Sequence, residues 1–256
     1  MGALMKNFDI KMVMDKLSSE RKVFHSEADF QFSLAWKIKE NYPEYEIFLE
    51  WPVSIKKQII YVDIVLEKDE KIIPIELKYK TKKLEHASFN LKTQGAKDLA
   101  CYDYLKDIER VESLIGPKFE KGFSIFLTND LGYLNEPNSN AGYKEFSIHD
   151  DRKIDKNNSL NWGESTGEGT RKGRKDPITL KFDYQFKWDD YSDLNSKSSN
   201  DKFKYLISEI PNEHMATEPL KCGSLMDELE RLGNMYNEGL LTDDEFAAMK
   251  KKLIEE

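Results

Sequence analysis

The chain has 256 residues, 39% of them hydrophobic and 12% aromatic, which suits one main globular domain with something small attached. No stretch approaches the roughly 20 consecutive apolar residues of a membrane span, and the start lacks an apolar run of signal-peptide length. A formal net charge of −8 argues against coating of nucleic acid by bulk attraction, and two cysteines, Cys101 and Cys222, give no disulfide framework, so a reducing cytoplasm is the expected setting.

In chain order, Phe8, Ile10, Met14 and Leu17 form a short helical stripe, read as a lead-in helix within residues 1–20. Ser26 is placed as an N-cap with Asp29 three residues on, and a helix to Glu40 is stopped by Asn41-Tyr42-Pro43. Along it Glu27, Gln31, Leu34 and Ile38 share one face, so a carboxylate begins the inward stripe.

Three strands are expected next, Glu46 to Val53, Ile59 to Leu66 and Lys71 to Tyr79, the last two forming a hairpin over the charged turn at 67–70. A helix from about Phe89 to Glu112 follows, closed by Gly116-Pro117, and then a buried strand from Gly122 to Thr128. This α-β-β-β-α-β order predicts an α/β fold, a mixed sheet flanked by helices.

From Leu131 to Asp176 the chain is poor in apolar residues and includes a Gly-rich run at 162–175, the composition of a mobile or functional loop. A β-rich extension is expected to follow. In it Ile178, Leu180, Phe182, Tyr184 and Phe186 alternate with Lys181 and Lys187 up to Trp188, and a last strand spans Phe203 to Ile210. The main domain is therefore placed at 21–210, a linker at 211–223 and a helical hairpin at 224–256.

Charge is uneven along this plan. Lys56 to Lys97 holds ten Lys and six acidic residues, Thr170 to Lys187 six basic and two acidic, and Cys222 to Glu256 four basic and nine acidic. A basic centre thus coexists with an acidic tail.

Because strand side chains alternate, Glu76 and Lys78 point one way and Ile75, Leu77 and Tyr79 the other. Twelve residues separate Asp63 from Glu76, so folding at 67–70 brings these two carboxylates opposite one another beside the Lys78 ammonium. Two hard oxygen ligands suit Mg²⁺ (or Mn²⁺), which keeps waters and binds substrate phosphate. Such a centre polarises a phosphoryl oxygen and activates water, while the lysine orients the nucleophile or offsets developing charge. The chemistry expected is phosphodiester hydrolysis. The structural alternative is a surface ion-pair ladder, although Tyr61, Val65 and Pro74 make the same face partly apolar.

Val62-Asp63 and Ile75-Glu76-Leu77-Lys78, within the element order of residues 21–130, resemble the PD-(D/E)xK nuclease superfamily, with Val62 in place of the motif's proline. The resemblance implies a restriction-endonuclease-like fold in which Asp63 and Glu76 bind metal and Lys78 is the catalytic lysine. An acidic residue on the first helix joins the site in some branches, and Glu27 matches it; otherwise Glu27 is a helix N-terminal acid favoured by the macrodipole. Gln94 and Tyr102 are similar to a glutamine-tyrosine element of RecB-like members that touches nucleic acid, against ordinary helix packing. DNA is favoured over RNA, and the setting suggested is bacterial defence against foreign DNA. The alternative function is a catalytically inactive nucleic-acid-binding or scaffold protein that retains the nuclease fold.

Gly-rich backbone amides can cradle phosphate, and Arg171, Lys172, Arg174 and Lys175 add charge that would track a nucleic-acid backbone. Composition fits a disordered surface loop equally well, and no Walker-type signature is present.

At the C-terminus Leu225, Leu229, Leu232 and Tyr236 repeat at helical spacing up to Gly239. Thr242 and Glu245 then form a capping box for a helix carrying Phe246, Met249 and Leu253. Residues 224–256, above all Gly-Leu-Leu-Thr-Asp-Asp-Glu-Phe, resemble the SHOCT family of two-helix C-terminal modules, which implies self-association or docking on a protein partner. A segment this short cannot bury enough surface to fold alone.

Overall fold

A computed structural model describes residues 7–212 other than 56, 57, 88 and 197. The chain divides into two units, Met1–Asn212 and Glu213–Glu256. The expected helical hairpin at 224–256 and nearly all of the expected linker lie outside the described residues.

Helix α1 (Ile10–Glu20) begins where the Asp9 side chain accepts from the Met12 amide, and buries Ile10, Val13, Met14 and Leu17. Helix α2 (Glu27–Asn41) is capped by Ser26, which accepts from the Asp29 amide, as the sequence spacing predicts. Strands β1 (Glu46–Ile55), β2 (Gln58–Lys68) and β3 (Lys71–Lys80) follow. The β2–β3 turn consists of Asp69 and Glu70 alone, both at positive φ, the backbone twist that tight hairpins favour.

The fold differs from the expected elements after β3. The expected helix from Phe89 begins only at Lys97, because a small hairpin of β4 (Leu84–His86) and β5 (Phe89–Leu91) comes first. Helix α3 (Lys97–Glu112) and strand β6 (Gly122–Thr128) complete the α-β-β-β-α-β series. Gly122 starts β6 under the end of α3, where an added Cβ would land on the Val111 side chain.

Beyond β6 run four two-residue strands, β7 (Lys153–Ile154), β8 (Ser159–Leu160), β9 (Ile178–Thr179) and β10 (Tyr184–Gln185). Two longer strands come last among the described residues, β11 (Trp188–Asp193) and β12 (Lys202–Ile210). The expected single strand from Ile178 to Trp188 is therefore broken. Its alternation still marks burial, since Ile178, Leu180, Tyr184, Phe186 and Trp188 are all buried, but β9 and β10 pair with different partners, β8 and β7.

The principal sheet has six strands in the order β1-β2-β3-β6-β12-β11. β3 and β6 are parallel and every other neighbouring pair is antiparallel, so the sheet is mixed and helices flank it. One face packs on α1 and α2 through Ile64, Leu66, Ile75, Leu77, Tyr79, Ile125 and Leu127. The other carries Phe126 and Leu206 against α3 and the segment after β6. That segment, expected as a mobile or functional loop, contributes Tyr133, Phe146, Ile148, Ile154 and Leu160 to this second core; each large apolar side chain so buried contributes about 1.5–3 kcal/mol. Among the described residues no helix is long and apolar enough to cross a membrane.

Candidate active site

β2 and β3 pair from Lys68↔Lys71 up to Ile64↔Ile75 and then part. Asp63 and Glu76 are the next residues on each strand, the juxtaposition expected from the hairpin. Past this fork β3 stays paired to β6, with Glu76↔Ser124 and Lys78↔Phe126 in register, while β2 stays paired to β1. The amides that β3 would have offered to β2 are taken by carboxylates. Asp63 Oδ2 accepts from the Leu77 N–H at 2.6 Å and Glu27 Oε2 from the Tyr79 N–H at 2.7 Å. Buried backbone donors need partners, and here side chains replace a strand.

Across β1, Glu50 sits at φ 51°, a conformation costly for a residue with a Cβ and frequent near functional sites. The Gln31 amide spans the fork, donating to Glu50 Oε1 at 2.8 Å and to the Asp63 carbonyl at 2.7 Å.

Glu76 and Lys78 turn toward α3 and meet two residues the sequence reading missed. Lys78 Nζ lies 2.6 Å from Asp107 Oδ2, and Arg110 Nη1 lies 2.8 Å from Glu76 Oε1 and 3.3 Å from Asp107 Oδ1. Asp107 is three residues after Tyr104 and four before Val111, both fully buried. An acid inside that apolar stripe is the signal that could have revealed it.

Burial is the leading influence on Asp63, Glu76, Lys78, Asp107 and Arg110. It pushes the Asp63 carboxyl up to about 6, with Asp107 and Glu27 adding to the rise and the Leu77 amide and Lys78 opposing it. Glu76 and Asp107 are likewise pushed up, chiefly by burial. For Lys78 burial acts downward, but Asp107, Glu27 and Asp63 more than reverse it, so the ammonium is held above its ordinary range.

A stability signature follows from Asp63. Its folded form holds the proton more tightly than the unfolded chain, so its stabilisation is full below the ordinary value of 3.8 and is lost as pH rises through about 6. Thermal unfolding in chelator should show wild type losing stability relative to Asp63→Asn across that window and keeping a constant offset from it above. Parallel curves from pH 4 to 7 would contradict the buried assignment.

The remaining expected site residues are dispersed. Glu27 is at the fork, but its carboxylate is engaged with the Tyr79 amide and lies 3.9 Å from Lys80 Nζ. Among the described residues no three His, Cys, Asp or Glu side chains are gathered to hold a metal ion, so Glu27, Asp63 and Glu76 do not form a three-carboxylate cage. Asp63 and Glu76 fit the sparser mode in which Mg²⁺ takes one or two carboxylates and fills its shell with water and phosphate.

Gln94 is not on a helix. It lies before α3, its main-chain N–H and side-chain oxygen both bonded to Thr81 at the end of β3. Tyr102 is only 3% exposed, stacked on Trp162 with its hydroxyl donating to the Asp176 carbonyl, and is closed to any polymer. The expected placement of Gln94 on the same helix as Tyr102 is thereby corrected.

The four basic residues of the Gly-rich run do not all share one partner. Arg174 forms a two-pronged pair with Asp103 at 2.6 and 2.8 Å, while Arg171 and Lys175 both face Glu168 and Lys172 is exposed. A one-turn helix at Glu168–Arg171 interrupts the run. Trp162 donates to the Arg174 carbonyl, so these contacts fasten the segment to α3, one helical turn before Asp107.

The described unit is thus a mixed α/β domain with a buried acid-base cluster where two strands part. Residues 227–254 match the model of the SHOCT family, the short C-terminal domain. Comparison with curated proteins finds no match to the chain.

Proposed function

We propose that this protein is a metal-dependent phosphodiesterase acting on nucleic acid, DNA in preference to RNA, with a PD-(D/E)xK-type site on a restriction-endonuclease-like domain. The observation that carries this reading is the set of Asp63, Glu76 and Lys78 at the β2–β3 fork, with Glu76 buried and Asp63 and Lys78 half-buried. Taking charges out of water is expensive and an ion pair recovers the expense poorly, whereas functional sites tolerate it because perturbed carboxylates are what they use. The surface-ladder reading requires exposed groups, yet Glu76 is 1% exposed.

Asp63 and Glu76 would hold the ion, and a bound Mg²⁺ or Mn²⁺ supplies Lewis-acid activation of water and of the phosphoryl group. Lys78, kept cationic by Asp107, acts as a donor and fixed charge rather than as a base, offsetting negative charge that develops on the phosphoryl oxygens. Asp107 is a positioning residue, because its contact holds the lysine in place. Glu27 and Gln31 keep the fork open by occupying the Tyr79 N–H and the Asp63 carbonyl. The SHOCT segment would serve self-association or docking on a protein partner, and defence against foreign DNA is the setting that fits such a combination.

One observation favours the second reading, a scaffold that keeps the fold without catalysis: Glu76 is already paired with Arg110. The full chain should be incubated with plasmid, linear duplex DNA and RNA in Mg²⁺, Mn²⁺ or chelator. Metal-dependent DNA cleavage abolished by chelator is expected. Intact substrates in every arm, with no Mn²⁺ uptake by the protein, would leave the scaffold reading in its place.

A further inference from the structure

The cluster sets three carboxylates, Asp63, Glu76 and Asp107, against two cations, Lys78 and Arg110. Lys78 faces Asp107, whereas Arg110 bridges Glu76 and Asp107 through one nitrogen. Exposure separates these groups sharply. The Glu76 and Asp107 side chains are 2% and 3% exposed, and that of Arg110 is 30% exposed. Arg110 also sits in the last turn of α3, two residues before its end at Glu112. The guanidinium therefore has a route to solvent that the carboxylates lack.

We propose that Arg110 is a resident cation that neutralises Glu76 in the metal-free protein and passes to the scissile phosphate when a metal ion takes Glu76. The inference rests on the nuclease reading of the same site. Charge balance supports it. With all five groups ionised, the state a bound divalent ion favours, they carry a formal charge of −1, the ion would make it +1, and one phosphodiester would return it to zero. A planar guanidinium fork suits phosphate oxygens, and two cations competing for one buried carboxylate repel each other strongly at low dielectric.

Exchange and mere bracing predict opposite signs. If Arg110 only tied α3 to β3, its removal would loosen the site and weaken metal uptake. If it occupies the metal's ligand, its removal tightens uptake. Calorimetric titration of Mn²⁺ into the metal-free full chain should give about tenfold tighter binding for Arg110→Ala and near wild-type binding for Arg110→Lys, a charge-retaining change. Binding of duplex DNA in Ca²⁺ should be weaker by about tenfold in Arg110→Ala, and cleavage in Mg²⁺ slower by about 10²-fold, the scale of one lost charge-stabilising contact.

Arg110→Gln, with folding followed by circular dichroism, carries the same readouts if the alanine variant is unfolded. Unchanged or weaker Mn²⁺ binding in the neutral variants, beside a wild type that binds Mn²⁺ and cleaves, would overturn the exchange and leave the nuclease reading standing. A wild type that takes up no Mn²⁺ would overturn both.

Discussion

Asp63→Asn and Glu76→Gln are each expected to lower metal-dependent cleavage by about 10³-fold or more, since losing one of two carboxylate ligands forfeits several kcal/mol of charge stabilisation and ~4 kcal/mol is three decades of rate. Both changes keep side-chain volume. An asparagine oxygen can still accept from the Leu77 N–H as Asp63 does, and Glu76→Gln leaves Arg110 its contact with Asp107. Burial pushes both carboxyls toward their neutral forms, so an uncharged amide should fit the metal-free fold at least as well as the ionised acid. The expected pattern is lost activity with stability at pH 8 unchanged or raised, the exchange typical of sites that sacrifice stability for chemistry. Initial rates on plasmid, read beside urea unfolding in chelator, test it. Wild-type rates in both variants would remove these carboxylates from the mechanism.

A second large effect is expected at the contact of Lys78 with Asp107. The two side chains are 15% and 3% exposed and 2.6 Å apart. Lys78→Met strands a buried carboxylate and should lower stability by about 3–5 kcal/mol, whereas Lys78→Met with Asp107→Leu replaces the pair by apolar groups and should regain most of that loss. For a domain of this size such a loss corresponds to a drop in Tm of roughly 10 °C. Arg110, 3.3 Å from Asp107, softens the single change without abolishing it. All these variants should lack cleavage activity, so the double variant separates stability from function. A Lys78→Met penalty below about 1 kcal/mol would mean a solvated pair of the kind found on exposed strands.

Much of the frame could be read from local pattern. Ser26 caps α2 and the Ile64↔Ile75 register follows from the hairpin, because capping and strand alternation involve neighbours a few residues apart. The start of α3 could not be read in this way. The segment before it is helix-compatible in composition, and only the pairing of β4 with β5 decides otherwise. Between Ile178 and Trp188 the alternation reports burial correctly and strand continuity wrongly, since a period of two records which side faces the core and not which strand lies alongside.

The candidate site divides along the same line. Its β2 and β3 members, Asp63, Glu76 and Lys78, are set by a single hairpin, so sequence alone determined that they lie on one face. The SHOCT match at 227–254 is equally a property of sequence. Tertiary structure decided what surrounds them. It parts the strands at Asp63 and brings Asp107 and Arg110 in from α3. It buries Tyr102 against Trp162 and fastens Arg174 to Asp103. Such contacts join residues tens of positions apart and depend on which faces of helix and sheet meet, which periodicity does not encode. An acid at a core spacing is therefore ambiguous in sequence, and becomes meaningful only when its buried partner is seen.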